Sequence, residues 1–232
     1  MPSLVLAWGD RVCYDTFGER SAPLKELLAL AAAVFAVQAT PFAQATASLD
    51  LLSRAINPNP TLNSYTASAH LSATLHVVIP VHKSYGGIVY YLRPKRKIEF
   101  QGVSGALSRF KALASSTPTY DEATQQYAIT PLTDTGGVSK YVLVPKKTGS
   151  RVKSVAVNVD DQAALVNHVV WSYTNGGTLT FDQTYTSVGE FHLPAQANIA
   201  ARFPGYSVDG TITFGGYKPN ATVSPSVFTA SQ

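Results

Sequence analysis

The chain has 232 residues, of which 45% are hydrophobic and only 14% are charged, with 16 Gly and 14 Pro. This composition fits one globular domain rich in strands and turns, and it excludes a collagen-like or disordered chain. The formal net charge of +4 permits an anionic partner. The basic residues nevertheless cluster at predicted strand ends and turns, where solvated Lys and Arg are usual, so we expect no nucleic-acid partner.

The N-terminal region predicts export. Residues 27–37 form an uncharged apolar run that is too short to cross a bilayer as a helix. Ala43-Gln44-Ala45 follows it as a small-x-small cleavage signal. We interpret residues 1–45 as an upstream extension plus a secretory signal peptide cleaved after Ala45, which places the protein in the periplasm or otherwise outside the cytoplasm.

Two features lie upstream of the apolar run. Residues 1–23 are long and mixed in charge for the start of a signal peptide, which favours a mis-annotated start, with translation beginning at Leu24. The only cysteine, Cys13, also lies there. The expected mature domain, residues 46–232, therefore has no disulfide and no cysteine-based metal site, and its stability must come from its core.

Two short helices are predicted. In residues 48–56, Leu49, Leu52 and Ile56 recur at helical spacing, which indicates an amphipathic helix laid against a sheet. Residues 105–117 again follow a period of 3.6, and a proline directly after them ends this second helix. The segment between residue 118 and the next strand is expected to be a polar loop.

The longest pattern has a period of two. In residues 65–79 every odd position is apolar, and every even position up to His76 is polar. This alternation predicts a strand with one dry face. Fifteen residues would span about 50 Å, so the strand must belong to a sheet that bends strongly.

The remaining apolar runs bring the count to about ten antiparallel strands, and the predicted fold is mainly β (α+β by a strict count of elements). The further strands are expected at residues 88–93, 98–100, 127–133, 140–145, 152–159, 165–173, 179–185, 195–203 and 206–217. Four Gly pairs are expected in turns or bulges, at 86–87, 136–137, 176–177 and 215–216.

Residues with catalytic or metal-binding chemistry are sparse. None of the nucleophile, phosphate-binding or dinucleotide motifs occurs. His70 and His76 share a strand face but lie about 20 Å apart along it, too far for one metal ion. We therefore predict no catalytic residues, no metal and no cofactor.

The order of several motifs resembles the LolA-like envelope lipoprotein carriers. The motifs are Asn63-Ser64-Tyr65 before the long strand, Gly-Gly-Ile-Val-Tyr-Tyr-Leu-Arg-Pro-Lys at 86–95, Tyr-Val-Leu-Val-Pro-Lys at 141–146 and Gly-Tyr-Lys-Pro-Asn-Ala-Thr-Val-Ser-Pro-Ser-Val-Phe at 216–228. The likeness covers residues 48–228. It implies an unclosed antiparallel β-barrel whose concave face is covered by a helical lid.

The resemblance also implies a function. Such carriers are monomers that hold acyl chains of lipoproteins or related lipids in the periplasm, between membrane-bound donor and acceptor proteins, without enzyme activity or cofactor. Arg93 matches the family arginine that hydrogen-bonds to the lid and keeps it closed. A surface arginine in a basic turn is the alternative for Arg93.

Several residues are candidates to line the lipid cavity. On the dry face of the long strand, alanines alternate with larger groups, and such a face cannot fill a wide core by itself. The candidates are Tyr65, Ala67, Ala69, Leu71, Ala73, Leu75, Val77, Tyr91, Phe110, Leu113, Trp171 and Phe181.

Two other functions stay open. An envelope-stress sensor or structural binding protein on the same fold would have a protein partner and no lipid. A hydrolase would need a nucleophile beside a base, and the sequence shows no such pair.

Overall fold

A computed structural model describes residues 47–102, 119–132 and 136–229. The signal segment and the predicted helix at residues 105–117 lie outside the described residues. All the strands and helices below belong to the described ranges.

Two α-helices begin with side-chain caps. Helix α1 spans Leu49–Ile56, and the Ser48 side chain accepts a hydrogen bond from the Asp50 amide at 3.2 Å. Helix α2 spans Tyr120–Gln126 and begins with a capping box, in which Thr119 and Glu122 bond each other's backbone amides. Caps of this kind satisfy amide groups that have no partner within the helix. A short 3-10 helix, Pro225–Phe228, lies near the C-terminus.

Ten strands make up the rest. They are β1 Ser64–His76, β2 Val81–Leu92, β3 Lys95–Phe100, β4 Tyr127–Pro131, β5 Val138–Pro145, β6 Val152–Asp160, β7 Leu165–Tyr173, β8 Thr178–Val188, β9 Phe191–Phe203 and β10 Tyr206–Pro219.

The strands form one antiparallel sheet in the order β3-β2-β1-β10-β9-β8-β7-β6-β5-β4. Strands β1–β3 and β4–β10 are two meanders, and the pairing of β1 with β10 joins them. Strands β3 and β4 are the two edges, so the sheet is not closed. The predicted fold class, a mainly β protein with an unclosed antiparallel sheet of about ten strands, is confirmed.

The sheet curls around its inward face. Arg96 on β3 acts electrostatically on Tyr185 on β8, although these strands are five neighbours apart in the sheet. In a flat sheet five steps would separate them by about 24 Å. The two side chains must therefore approach each other across the inside of the curve.

The strand and turn boundaries differ from the sequence prediction at several points, and β2 and β9 begin earlier than expected, at Val81 and Phe191. Strand β1 ends at His76, and residues 77–79 form a bend, because the chain must reverse before β2 begins at Val81. The pair Gly86-Gly87, expected in a turn, lies inside β2. The reason for glycine at position 87 is space, because a Cβ there would lie 2.7 Å from both the carbonyl oxygen of Glu99 and Cδ1 of Phe100.

The helices also differ in detail. The buried face of α1 consists of Leu51, Leu52 and Ala55, whereas Leu49, which the predicted spacing included, is 42% exposed. Helix α2 occupies the segment expected to be a polar loop. Its sequence signal is the Thr119-x-x-Glu122 capping box, which apolar periodicity does not reveal.

The buried apolar residues form two clusters. The interior cluster joins Leu62 to inward-facing residues of β1, β2, β3, β8, β9 and β10. The helix cluster joins the buried face of α1 to residues of β5 and β6. Trp171 on β7 packs against both clusters. Among the described residues, α1 thus covers the β5–β7 part of the sheet and contributes nothing to the interior cluster.

Within residues 47–102, 119–132 and 136–229, no helix combines the length and the apolar character that crossing a membrane requires.

The close packing of Glu99 and Phe100 against Gly87 can be tested by substituting Gly87 and, as a control, Gly86. Gly87→Ala should lower the free energy of unfolding by about 1–3 kcal/mol, because the backbone of Glu99 or the ring of Phe100 must move. A Cβ at Gly86 would meet nothing within 4 Å, so Gly86→Ala should change stability by no more than about 0.5 kcal/mol. Urea unfolding of both variants measures the difference, and equal losses would contradict the packing at Gly87.

Candidate functional site

The inward-facing residues of β1 form a continuous apolar surface, called here the inward wall. It consists of Tyr65, Ala67, Ala69, Leu71 and Ala73, each 4–5% exposed. The residues between them face outward and carry hydroxyl or imidazole groups. Because successive side chains of a strand alternate between its faces, the period of two in the sequence places this wall directly.

An aromatic group stands at the start of the wall. The ring of Tyr65 stacks on Tyr91 of β2, with centroids 5.0 Å apart, and meets the edge of Tyr217 of β10 at 5.4 Å. The strand register produces this grouping. Tyr65 lies opposite Tyr91 on β2 and opposite Pro219 on β10, and Tyr217 lies two residues before Pro219 on the same strand.

Other predicted cavity residues join the same interior. Leu75, Tyr91, Trp171 and Phe181 are partly buried and pack against the interior cluster, with Trp171 and Phe181 in edge contact at 5.5 Å.

One predicted cavity residue does not join it, and two others are not among the described residues. Val77 lies beyond the end of β1 in the bend and is 46% exposed, so it leaves the proposed set. Phe110 and Leu113 lie outside the described residues.

Arg93 binds the segment between α1 and β1. Its Nη2 donates to the carbonyl oxygens of Asn59 (2.6 Å) and Leu62 (2.7 Å), and its Nε donates to that of Leu62 at 3.1 Å. The Arg93 amide donates to the carbonyl oxygen of Asn63 at 3.0 Å. The side chain therefore holds residues 57–63, called here the α1–β1 loop, rather than a helix.

The α1–β1 loop is fixed at a second point. The Asn59 side chain donates to the carbonyl oxygen of His192 at 2.7 Å and accepts from its amide at 2.9 Å. His192 belongs to β9, whereas Arg93 follows β2, so the loop ties two separate parts of the sheet. Leu62, at 2% exposure, carries the loop into the interior cluster.

Arg96 is a functional candidate that the sequence analysis missed. It shares the inward face of β3 with the buried Ile98 and Phe100 and lies opposite Tyr91 in the register. It lies in the basic run at residues 93–97, and such runs usually form solvated turns, so an inward position was not predicted. The alternation Arg96-x-Ile98-x-Phe100 is the signal that predicts its inward position.

Phenol groups surround Arg96. Burial raises the pKa of Tyr65, and the charge of Arg96 and a hydrogen bond from it oppose this rise. Burial also raises the pKa of Tyr185 to about 12, again opposed in part by Arg96. The pKa of Tyr217 is raised mainly by burial, with Arg96 lowering it. All three phenols are therefore neutral over the physiological range, and a guanidinium lies among them.

Two open concavities mark the surface away from the wall. One has a volume of about 550 Å³ and lies at the edge of the sheet where the C-terminal ends of β1, β7 and β9 are found. The other has a volume of about 400 Å³ and lies over polar residues of the outward face. Among the predicted cavity residues that the structure describes, Val77 alone lines one of these two concavities. The residues of the inward wall are 4–5% exposed, so the wall is covered in this structure.

The histidines have separate partners. The Nε2 of His70 lies 2.9 Å from the Ser84 hydroxyl, and the Nε2 of His76 lies 3.0 Å from the Asp209 carboxylate. In the part of the chain that the structure describes, no group of three His, Cys, Asp or Glu side chains is placed to hold a metal ion.

No protein-family model and no curated protein matches this sequence, but solved structures match its fold. The chain is similar to a domain described as belonging to an outer membrane lipoprotein-sorting protein of Vibrio parahaemolyticus, with 14% identity and a TM-score of 0.56 over 78% of this chain and 95% of that chain. At this identity the similarity shows a shared fold, and the LolA-like fold expected from the sequence is confirmed at that level.

Two further solved structures align over similar lengths. A DUF1329 family protein from Desulfovibrio piger has 13% identity and a TM-score of 0.48, over 78% of this chain and 95% of that one. A LolA superfamily protein from Nitrosomonas europaea has 9% identity and a TM-score of 0.45, over 78% and 96%. The fold assignment depends on the first similarity.

The role of Arg93 can be tested by hydrogen exchange. Arg93→Leu removes three side-chain bonds to the α1–β1 loop, so backbone amides of residues 57–63 should exchange faster. Arg93→Lys should restore the protection only in part, because an ammonium lacks the planar fork that reaches two carbonyls. Lys95→Leu, an exposed change nearby, is the control. Unchanged exchange in Arg93→Leu would remove the assigned role.

Proposed function

We propose that this protein is an exported carrier that binds acyl chains of lipoproteins or other lipids against its inward wall. The observation that carries the proposal is the wall itself, an alanine-rich apolar face inside an unclosed, curled sheet. Small side chains leave room along a strand, and an acyl chain is complementary to such a surface. Each methylene buried there contributes about 0.8 kcal/mol.

Release requires the cover over the wall to move. The α1–β1 loop is the described non-strand segment that enters the interior, through Leu62. Arg93 and Asn59 hold it by hydrogen bonds near the protein surface. In this proposal the loop is the gate and Arg93 is its latch.

Location and partners belong to the same proposal. The predicted signal peptide places the chain in the periplasm or otherwise outside the cytoplasm. A carrier there takes its cargo from one membrane-bound protein and delivers it to another, and a monomer suffices for this task. The fold shared with a lipoprotein-sorting domain supports this assignment.

A binding protein without lipid is the second candidate. The observation that favours it is the burial of the wall, since Leu62 and the aromatic residues already fill the interior of this structure. A sensor or structural protein on this fold would keep that interior closed and use its surface to bind a protein partner.

Native mass spectrometry of the protein purified from its own cell envelope separates the two candidates. The carrier should retain acyl lipid and should exchange a fluorescent fatty acid in solution. A lipid-free protein that takes up no fluorescent fatty acid would refute the carrier function. Stable capture of a protein by that lipid-free form would favour the second candidate.

The wall can be tested with a pair of adjacent substitutions. Ala73→Leu adds volume to the wall and should weaken acyl binding by about tenfold or more, since overpacking costs about 1–3 kcal/mol. Ser72→Leu makes the neighbouring change on the outward face and should leave affinity unchanged. Titration with a fatty acid measures both, and equal affinities would show that the wall does not contact the ligand.

A further inference from the structure

The turn between β1 and β2 carries a cluster of exposed apolar side chains. Four of the eight large apolar residues that are exposed in the described part of the chain lie within residues 77–81. They are Val77 (46% exposed), Val78 (100%), Ile79 (73%) and Val81 (40%), and they are called here the apolar tip. Apolar clusters on a protein surface usually mark a contact with a protein or a membrane.

The strand register explains why the apolar tip is exposed. The last residue of β1, His76, lies opposite Ser207 of β10, and the pairing of β1 with β2 ends at Leu75 opposite Val81. Residues 77–80 therefore extend beyond the last pairs that β1 makes with both of its neighbours. The tip is an exposed hairpin end rather than a groove, so its partner must be a surface.

The backbone of the turn suits a shallow contact with lipid. A backbone amide or carbonyl that enters hydrocarbon without a partner costs free energy, and Pro80 has no amide N–H to satisfy. The head-group layer of a bilayer contains water and polar groups that can bond the other backbone groups of the turn. Val78 and Ile79 can thus reach the acyl boundary while the backbone stays among the head groups.

The charges around the apolar tip favour an anionic surface. Residues 74–84 contain Lys83 and two histidines but no Asp or Glu, and Lys83 is exposed. The single carboxylate of the adjoining hairpin end, residues 200–210, belongs to Asp209. Its Oδ1 lies 2.5 Å from Nη2 of Arg202, so the negative charge of Asp209 is compensated, and Lys83 makes this end of the sheet positive.

A bilayer fits these features better than a folded protein does. At a few hundred Å², the apolar tip is well below the roughly 800 Å² that each partner buries in a standard protein–protein interface. A bilayer deforms around inserted side chains and needs no complementary pocket. Apolar side chains beside cationic ones are also the combination by which interfacial segments bind anionic membranes.

We propose that the apolar tip docks this protein on an anionic lipid surface, with Val78 and Ile79 inserted among the head groups and Lys83 beside them. This contact goes beyond the proposed acyl-binding function, because it needs no ligand on the inward wall. It turns the β1–β2 hairpin end toward the membrane. The Arg93 latch, which is bonded to Asn63 before the start of β1, lies at the opposite end of that strand.

Vesicle flotation tests the docking. The protein purified from its own cell envelope is mixed with vesicles of phosphatidylcholine alone or with vesicles that also contain phosphatidylglycerol. It should bind the anionic vesicles about fivefold more tightly, because one lysine beside an anionic surface contributes about this factor. Lys83→Gln should remove the preference and leave binding to phosphatidylcholine unchanged.

Paired substitutions assign the binding to the apolar tip. Val78→Ser combined with Ile79→Ser should weaken binding to anionic vesicles by at least about tenfold, because two inserted apolar side chains are lost. Val144→Ser combined with Ile88→Ser makes the same chemical change at positions that are 46% and 44% exposed on strands, and it should leave binding unchanged. Thermal unfolding monitors the fold of both variants.

A fluorescent label measures insertion directly. Val78→Cys carries an environment-sensitive nitrobenzoxadiazole group in a Cys13→Ser background, because Cys13 is the only native cysteine. Its emission should rise when anionic vesicles are added, since the label leaves water. The same label on Val144→Cys should not respond.

The docking is overturned if the protein binds no vesicles, if it binds both kinds equally, or if serine at positions 78 and 79 leaves the binding unchanged. A label at position 78 that does not respond would overturn it as well. A protein cross-linked to position 78 in cells, without vesicle binding by the purified protein, would show a protein partner in place of the lipid surface.

These outcomes are independent of the proposed carrier function. Val78 and Ile79 lie outside the inward wall, so the serine pair should exchange a fluorescent fatty acid in solution as the wild-type protein does. Wild-type protein that binds vesicles through the tip but exchanges no fatty acid would overturn the carrier function and support the docking. Exchange without vesicle binding would do the reverse.

Discussion

The pairing of β1 with β10 is the constraint on which the rest of the structure depends. Strands β1–β3 and β4–β10 are separate meanders, and this pairing alone joins them into one sheet among the described strands. It places Tyr65 against Tyr217 and Ala69 opposite Phe214, so that the inward faces of both meanders become one surface. The register slips by one residue on β10 near Gly216, which has a positive φ of 61° and can adopt this bulge without strain.

The connection between β2 and β3 positions two arginines that point in different directions. Arg93 follows β2 and turns outward to the α1–β1 loop, while Arg96, three residues later on β3, turns inward to the phenols. Strand β3 is an edge strand that pairs only with β2, so these two arginines are held by the same short antiparallel pair. Both arginines thus lie beside the start of β1, at the same end of the inward wall.

Much of this fold is readable from the sequence, and the misses have physical causes. The period of two in residues 65–76 specifies the inward wall, because one face of that strand is dry. The order of the strands is not readable, since period-two patterns say nothing about which edges pair. Gly87 was misread because its local signal is that of a turn, while its actual cause is the approach of Phe100 from another strand. Arg96 was missed because it lies in a basic run, which usually indicates a solvated turn. The alternation of Arg96 with the apolar Ile98 and Phe100, which indicates an inward position, was not considered.

A covered wall is compatible with a carrier, because a carrier without ligand must keep its apolar surface away from water. An empty apolar track exposed to water would cost about 25 cal/mol for each Å², so a ligand-free carrier must cover it. The α1–β1 loop enters the interior through Leu62 and is fixed through Arg93 and the Asn59–His192 pair, and each such bond contributes a net of about 1 kcal/mol. The sheet is one series of ten paired strands, with a stability expected at about 5–15 kcal/mol. In the proposed carrier, release of the loop breaks these bonds and exposes Leu62 but separates no strand pair, and an acyl chain that takes its place restores the lost apolar contact.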